Sequence, residues 1–184
     1  MCEILPKNRE ELQAWMEGGE EALDWTPFFT YLASLMPPRN GEEVAERLRD
    51  VFQLVLPCDL TQREPLSPIR QKYDVIMTTL CVEFTSWSTE DYQELVGRVV
   101  TLLKPGGVLL MAGALGNTSY TLGRCQYPSV SLQEGDIRDA LTALGLRIAS
   151  FLTLERQTSS HDKPADHKGV FFLVAQSDTQ QEVK

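Results

Sequence analysis

The run Lys72-Tyr73-Asp74-Val75-Ile76-Met77-Thr78-Thr79-Leu80-Cys81-Val82-Glu83, followed later by Leu102-Leu103-Lys104-Pro105-Gly106-Gly107-Val108-Leu109-Leu110-Met111, decides the fold. Tyr73 to Leu80 is apolar without clean alternation, the pattern of a parallel strand covered on both faces. From Ser88 the period changes. Ser88 and Asp91 stand at capping-box spacing, and Tyr92, Leu95, Val96, Val99, Leu102 and Leu103 recur at helical intervals. Lys104-Pro105-Gly106-Gly107 reads as the helix stop, and a second apolar run, Val108 to Ala114, follows at once. Strand, helix, strand in this order make a right-handed parallel crossover. The class is therefore α/β.

Outward from this unit, three helices come first. Asn8 with Glu11 has capping-box spacing ahead of Leu12, Trp15 and Met16. Pro27 suits a first helical position, with Phe28, Tyr31, Leu32 and Leu35 as one face; Asn40 with Glu43 starts a third helix that buries Val44, Leu48 and Val51. A short strand at Val55-Leu56-Pro57-Cys58-Asp59-Leu60 and a proline-bearing loop, 61–72, lead into the opening run. Beyond it, Ser131 with Glu134 sits at capping-box spacing before Ile137, Ala140, Leu141 and Leu144. Arg147 to Glu155 and Gly169 to Gln176 then read as two strands. Their connection is too short for a crossover helix, so they pair antiparallel. Residues 1–176 thus form one domain, with a polar tail over 177–184.

At 184 residues, 42% hydrophobic and 23% charged, the chain can bury a sizeable core. Seventeen basic against twenty-six acidic residues give a net charge of −9, which argues against nucleic acid and against an anionic membrane surface and suits a cationic ligand. No stretch approaches the roughly 18 apolar residues of a membrane span, and a cytoplasmic location is expected. The four cysteines are widely spaced and read as free thiols. His161 and His167 share a polar loop with Asp162 and Asp166, but the spacing fits no standard zinc pattern, and no metal is expected.

The aspartate-bearing strand, the Leu-Leu-Lys-Pro-Gly-Gly turn and the strand after it resemble the later half of Rossmann-like S-adenosylmethionine-dependent methyltransferases. Finer pieces resemble the small-amine N-methyltransferases that act on nicotinamide, phenylethanolamine and indolethylamines. They are Asn8-Arg9-Glu10-Glu11-Leu12, Asp24-Trp25-Thr26-Pro27, Leu56-Pro57-Cys58-Asp59-Leu60, Leu80-Cys81-Val82-Glu83, Gly113-Ala114-Leu115, Tyr120 and Lys168-Gly169-Val170-Phe171-Phe172, in family order. The resemblance implies S-adenosylmethionine as cofactor, a small amine or pyridine as substrate, and a monomer if the domain is complete. It also implies site residues.

By that resemblance Asp59 meets the adenine amino group and Leu60 packs on the ring; Thr79 lies under the methionine portion; Asn8 contacts the cofactor; and Glu3 stands where relatives bind the ribose hydroxyls. Glu83 anchors the substrate amine and is the catalytic candidate, while Asn117 and Tyr120 line the substrate side. Each has a plainer reading beside it: Asp59 as a turn cap, Thr79 as an ordinary strand residue, Asn8 as a helix N-cap, Glu83 as a solvent-facing cap, Tyr120 as packing. Two departures stand out. Asn117 and Ala165 occupy positions where phenylethanolamine-type relatives carry acids, with Asp166 one residue away, and Gly113 replaces an aspartate of the nicotinamide type.

The glycine-rich turn that opens such domains has no counterpart in these residues, as no Gly-x-Gly-x-x-Gly run occurs. The chain looks like a family member lacking its first strand, glycine loop, first helix and most of its second strand. The expectation is that the strands at Val55 and Tyr73 do not pair directly. An alternative reading is a noncatalytic family member unable to hold cofactor alone.

Overall fold

The structure, a computed structural model, describes residues 2–19, 22–37, 39–157 and 165–178. His161, Asp162 and residues 179–184 of the polar tail lie outside them. Two compact units divide the chain, Met1–Asp59 and Leu60–Lys184.

The first unit contains β1 (Cys2–Glu3), α1 (Pro6–Met16), α2 (Thr26–Ser34), α3 (Gly41–Val51) and β2 (Leu56–Pro57). β1 and β2 pair in parallel, Glu3 opposite Pro57. Trp15, Phe29 and Ala45 form the buried centre, with the Trp15 and Phe29 rings stacked at 5.5 Å and the Arg49 guanidinium 4.8 Å above Trp15. The Asn40 capping box forms as expected: its side chain accepts the Glu43 N–H, and Glu43 returns a bond to the Asn40 N–H.

Three expectations for this unit are corrected. Asn8 does not cap α1. The helix begins two residues earlier at Pro6, whose fixed φ suits the first turn and whose missing N–H needs no partner. α2 buries Phe29 and Ala33 and leaves Phe28, Tyr31, Leu32 and Leu35 exposed. Its apolar residues surround the helix, so periodicity cannot choose a face. Val51, the last residue of α3, is likewise exposed.

The second unit is built on a four-stranded sheet ordered β3 (Tyr73–Thr79), β4 (Leu103–Leu115), β8 (Gly169–Ser177), β7 (Leu146–Glu155). β3 and β4 are parallel and β8 and β7 antiparallel, as the sequence leads one to expect, and β8 also pairs antiparallel with β4. β1 and β2 form a two-stranded sheet of their own in the first unit. The remaining elements are α4 (Val82–Thr85), α5 (Thr89–Thr101), α6 (Glu134–Ala143) and a small hairpin, β5 (Ser119–Leu122) and β6 (Cys125–Pro128).

α5 is capped by Ser88, whose hydroxyl accepts the Asp91 N–H at 3.1 Å; the Asp91 carboxylate returns a bond to the Trp87 N–H at 2.8 Å. For α6 the expected Ser131–Glu134 cap is replaced. Gln133 caps the helix and Asp136 closes the box, because the helix starts two residues later. Lys104-Pro105-Gly106-Gly107 lies inside β4 rather than before it, as an irregular strand start where the β3–β4 register shifts and Gly106 adopts φ 75°.

Tyr92, Leu95, Val96 and Val99 of α5 and Ile137, Ala140 and Leu141 of α6 pack on Leu109, Met111, Phe171, Leu173 and Ala175. Each large side chain fully buried there contributes about 1.5–3 kcal/mol. Both helices serve this one face. The other face is open: Val75 is 55% and Met77 71% exposed, and Leu152, Leu154 and Phe172 are exposed beside them. The expectation that β3 is covered on both sides is therefore corrected. No helix among the described residues is long and apolar enough to cross a membrane.

Candidate functional site

Parallel pairing brings the carboxyl ends of β3 and β4 together, Thr79 opposite Ala112, and ligands of open α/β sheets gather at such ends. The chain turns sharply after Thr79. Leu80 adopts φ 48°, a left-handed conformation that costs a non-glycine residue of order 1–3 kcal/mol, while its N–H donates to the Ala112 carbonyl at 2.9 Å. This kink starts α4 back over β4. Glu83, on the first turn of α4, then points inward.

Glu83 is 2% exposed, and its Oε1 accepts the Ala114 N–H at 2.8 Å. None of the ion pairs among the described residues involves it. Burial pushes its carboxyl above the ordinary carboxylate value, opposed by the N–H groups of Ala114, Glu83 and Cys81. Tyr92 of α5 is buried with its hydroxyl unpartnered; burial, joined by the charge of Glu83, raises that phenol as well. A carboxyl in this setting gives up its proton less readily than an exposed one, and a cation beside it would favour its ionisation. The reading of Glu83 as a solvent-facing cap is thereby corrected.

A strip over 129–132 ties α4 to the turn after β4. The Ser129 hydroxyl and the Val130 N–H donate to the Glu83 carbonyl at 3.3 and 3.4 Å, and the Gly116 N–H donates to Leu132 at 2.8 Å. Within that turn Asn117 is 0% exposed, and neither its Oδ1 nor its Nδ2 has a partner. Such an amide is costly to leave unpaired in a core, about 1–3 kcal/mol. Tyr120, half-buried on β5, lies between Phe84 at 4.7 Å and Tyr127 at 5.4 Å. Thr79 is exposed and borders a shallow apolar groove of about 480 Å³ with Leu80, Ala112, Leu152 and Phe172.

Asp166 proves to be a clasp. Its Oδ1 accepts the N–H groups of Thr118 and Ser119 at 2.7 and 3.0 Å, and the Thr118 hydroxyl donates to Oδ2. Burial works against its charge, but these bonds outweigh burial and hold the carboxyl below its ordinary value. Ala165 bridges Tyr120, and Arg156 holds the Ala165 carbonyl at 2.6 Å. Asp166→Ala should speed amide exchange at Thr118 and Ser119 by about tenfold or more, the loss of some 1–2 kcal/mol, and leave α5 exchange unchanged. Unaltered exchange at Thr118 would show the clasp to be idle.

Thr79, Glu83, Asn117 and Tyr120 thus belong to one unit. Leu60 belongs to it too, but its side chain packs on that unit's core and its carbonyl accepts from Arg98 at 2.7 Å. In the first unit Glu3 and Asp59 stand at the carboxyl ends of adjacent parallel strands, and the Cys58 N–H donates to the Glu3 carbonyl at 3.3 Å. The Glu3 carboxylate accepts the Leu5 N–H at 3.0 Å. Asn8 lies apart, exposed on α1. Tyr92 was legible only as part of the apolar stripe, and nothing in the spacing marked its hydroxyl.

Among curated proteins, the chain is 33% identical to nicotinamide N-methyltransferase of Homo sapiens over 171 residues, 92% of this chain and 64% of that one. It is 31% identical to indolethylamine N-methyltransferase of Oryctolagus cuniculus over 177 residues, 95% of this chain and 66% of that one. It therefore spans just under two thirds of the length of either relative. Among solved structures, an S-adenosylmethionine-dependent methyltransferase from Methanosarcina mazei superposes with a TM-score of 0.55 at 14% identity, covering 92% of this chain and 87% of that one. This likeness establishes the Rossmann-like methyltransferase fold. With residues 1–178 matched by that family's model, the chain belongs to the NNMT/PNMT/TEMT family.

Proposed function

We propose that this chain serves S-adenosylmethionine-dependent N-methylation of small amines or pyridines, with Glu83 holding the substrate nitrogen. The observation that carries the proposal is a buried carboxyl, in no ion pair among the described residues, at the joint mouth of β3 and β4 in a member of this family. The cofactor, when bound, supplies a methyl group on a sulfonium.

The donor set suits its nucleoside end. Within the first unit, Glu3 and Asp59 offer acceptors for ribose hydroxyls and for an adenine amino group from neighbouring strand ends. On the substrate side, Tyr120 and Phe84 form an aromatic wall and Asn117 offers an unpartnered amide. Direct methyl displacement needs alignment above all, so these residues act chiefly by holding the nitrogen in line. The nitrogen must be neutral to attack, and Glu83 can take its proton. With Asn117 and Ala165 neutral and Asp166 engaged by Thr118, Glu83 is the acid that the described residues offer a basic nitrogen here. A small-molecule substrate, rather than nucleic acid, also accords with the net charge of −9.

Calorimetric titration of S-adenosylmethionine into the 184-residue protein is the first test. Saturable heat with a matching rise in melting temperature is expected. The absence of both at millimolar cofactor would assign this chain no autonomous methyl transfer.

A further inference from the structure

We infer that Gly113 is the positioning residue that makes Glu83 the acid of this site: only a hydrogen at position 113 leaves room for the Glu83 carboxylate against the end of β4. A methyl group built there would lie 2.7 Å from Glu83 Oε1 and 2.6 and 2.8 Å from Cε1 and Cζ of Phe171. Contacts that short do not survive, so something must move. Gly113 does not have a positive φ, unlike Gly106 or Gly116, and any residue could adopt its strand conformation. The requirement at 113 is therefore space.

Of the two neighbours, Phe171 is the fixed one. Its ring is buried, stacked on Phe151 at 5.7 Å, and set in the cluster with Leu173 and Met111. The Glu83 carboxylate ends a flexible side chain, with the Ala114 N–H at 2.8 Å and the N–H groups of Glu83 and Cys81 as its donors. A side chain at 113 therefore expels the carboxylate, while its clash with the packed ring must be absorbed by small shifts of β4 and Phe171. Expelled, the carboxyl loses both its burial and the Ala114 N–H and becomes an ordinary surface acid. Gly113 thus sets where the charge stands when an amine binds, and how firmly the carboxyl keeps its proton before that. The consequence for ligands rests on Glu83 being the amine anchor; the effect of Gly113 on Glu83 does not.

The test follows the δ-carbon of Glu83 by NMR in ¹³C-glutamate-labelled protein, assigned by its absence in Glu83→Gln. In the native chain this carbon should titrate above the ordinary carboxylate range; in Gly113→Ala it should return to that range while α5 amides stay protected. A folded Gly113→Ala protein in which Glu83 titrates as before would overturn the inference. Should Gly113→Ala not fold, the same substitution is made in Glu83→Ala. Removing the carboxylate should shrink the unfolding penalty of the added methyl by about tenfold in the equilibrium constant. An undiminished penalty would place the clash on Phe171 and refute the assignment. Because no ligand is used, amine binding that ignores Glu83→Gln would defeat the substrate reading while leaving this result standing.

Discussion

Phe171→Ala is expected to destabilise the second unit by about 3–5 kcal/mol, the largest stability effect of any single substitution considered. Phe171 is 2% exposed and stacks on Phe151. It lies on the face covered by α5 and α6, and also forms the wall beside Gly113 against which Glu83 is seated. Truncation removes the transfer free energy of the ring and leaves a cavity that flanking strands cannot close, since β8 is paired on both sides. Leu154→Ala is the matched control. Leu154 is 70% exposed on the open face, and its loss should stay within about 0.5 kcal/mol. Urea unfolding followed by amide exchange in β4 and β8 separates the two, and equal effects would contradict the assignment of the covered face.

Glu83→Gln should act in opposite directions on stability and on binding. The native carboxyl is raised by burial, so the folded state holds its proton at pH values where the unfolded chain has lost it. Below the unfolded carboxylate pKa of about 4.3, both states are protonated and the variant should match the native protein. As pH rises from there toward the raised folded value, native stability falls relative to glutamine, and above that value the difference is constant. A gain for the variant that is absent at pH 4 and grows toward neutral pH is expected from thermal unfolding across this range. The amide can still accept the Ala114 N–H, so the fold is kept. Amine affinity should fall by about thirtyfold or more, the cost of removing one charge from a desolvated pair.

Much of this architecture was readable from the chain because its signals were local and redundant. The β3–α5–β4 unit announced itself through a change of period and through Ser88 with Asp91. The β7–β8 hairpin followed from a connection too short to cross over. What the pattern could not show was competition between equally plausible local choices. Asn8 and Ser131 both offer a cap, yet Pro6 and Gln133 start those helices. α2 is apolar all round, and its packing, with Phe29 stacked on Trp15, selects the buried side. The β5–β6 hairpin has little alternation to betray it.

At the site, Glu83 was visible by type and position, but its burial depends on the φ 48° kink at Leu80 and on the space at Gly113. Neither has a periodic signature. The unpartnered Tyr92 hydroxyl and Asn117 amide are likewise properties of packing across distant segments. Asp166 shows the converse. It stands one residue from Ala165, where phenylethanolamine-type relatives carry an acid, and its bonds to Thr118 and Ser119 give it a structural task.

The central claim is that Glu83 serves methyl transfer to a basic nitrogen. Its most direct test is transfer of radiolabelled methyl from S-adenosylmethionine to a panel of aliphatic amines and pyridines by the 184-residue protein and by its Glu83→Gln form, with cofactor binding to both measured alongside. Labelled product is expected from the native chain, with a loss of at least about tenfold in the variant and cofactor affinity unchanged. Equal turnover by both proteins, or cofactor bound with no amine or pyridine in the panel methylated, would contradict the claim.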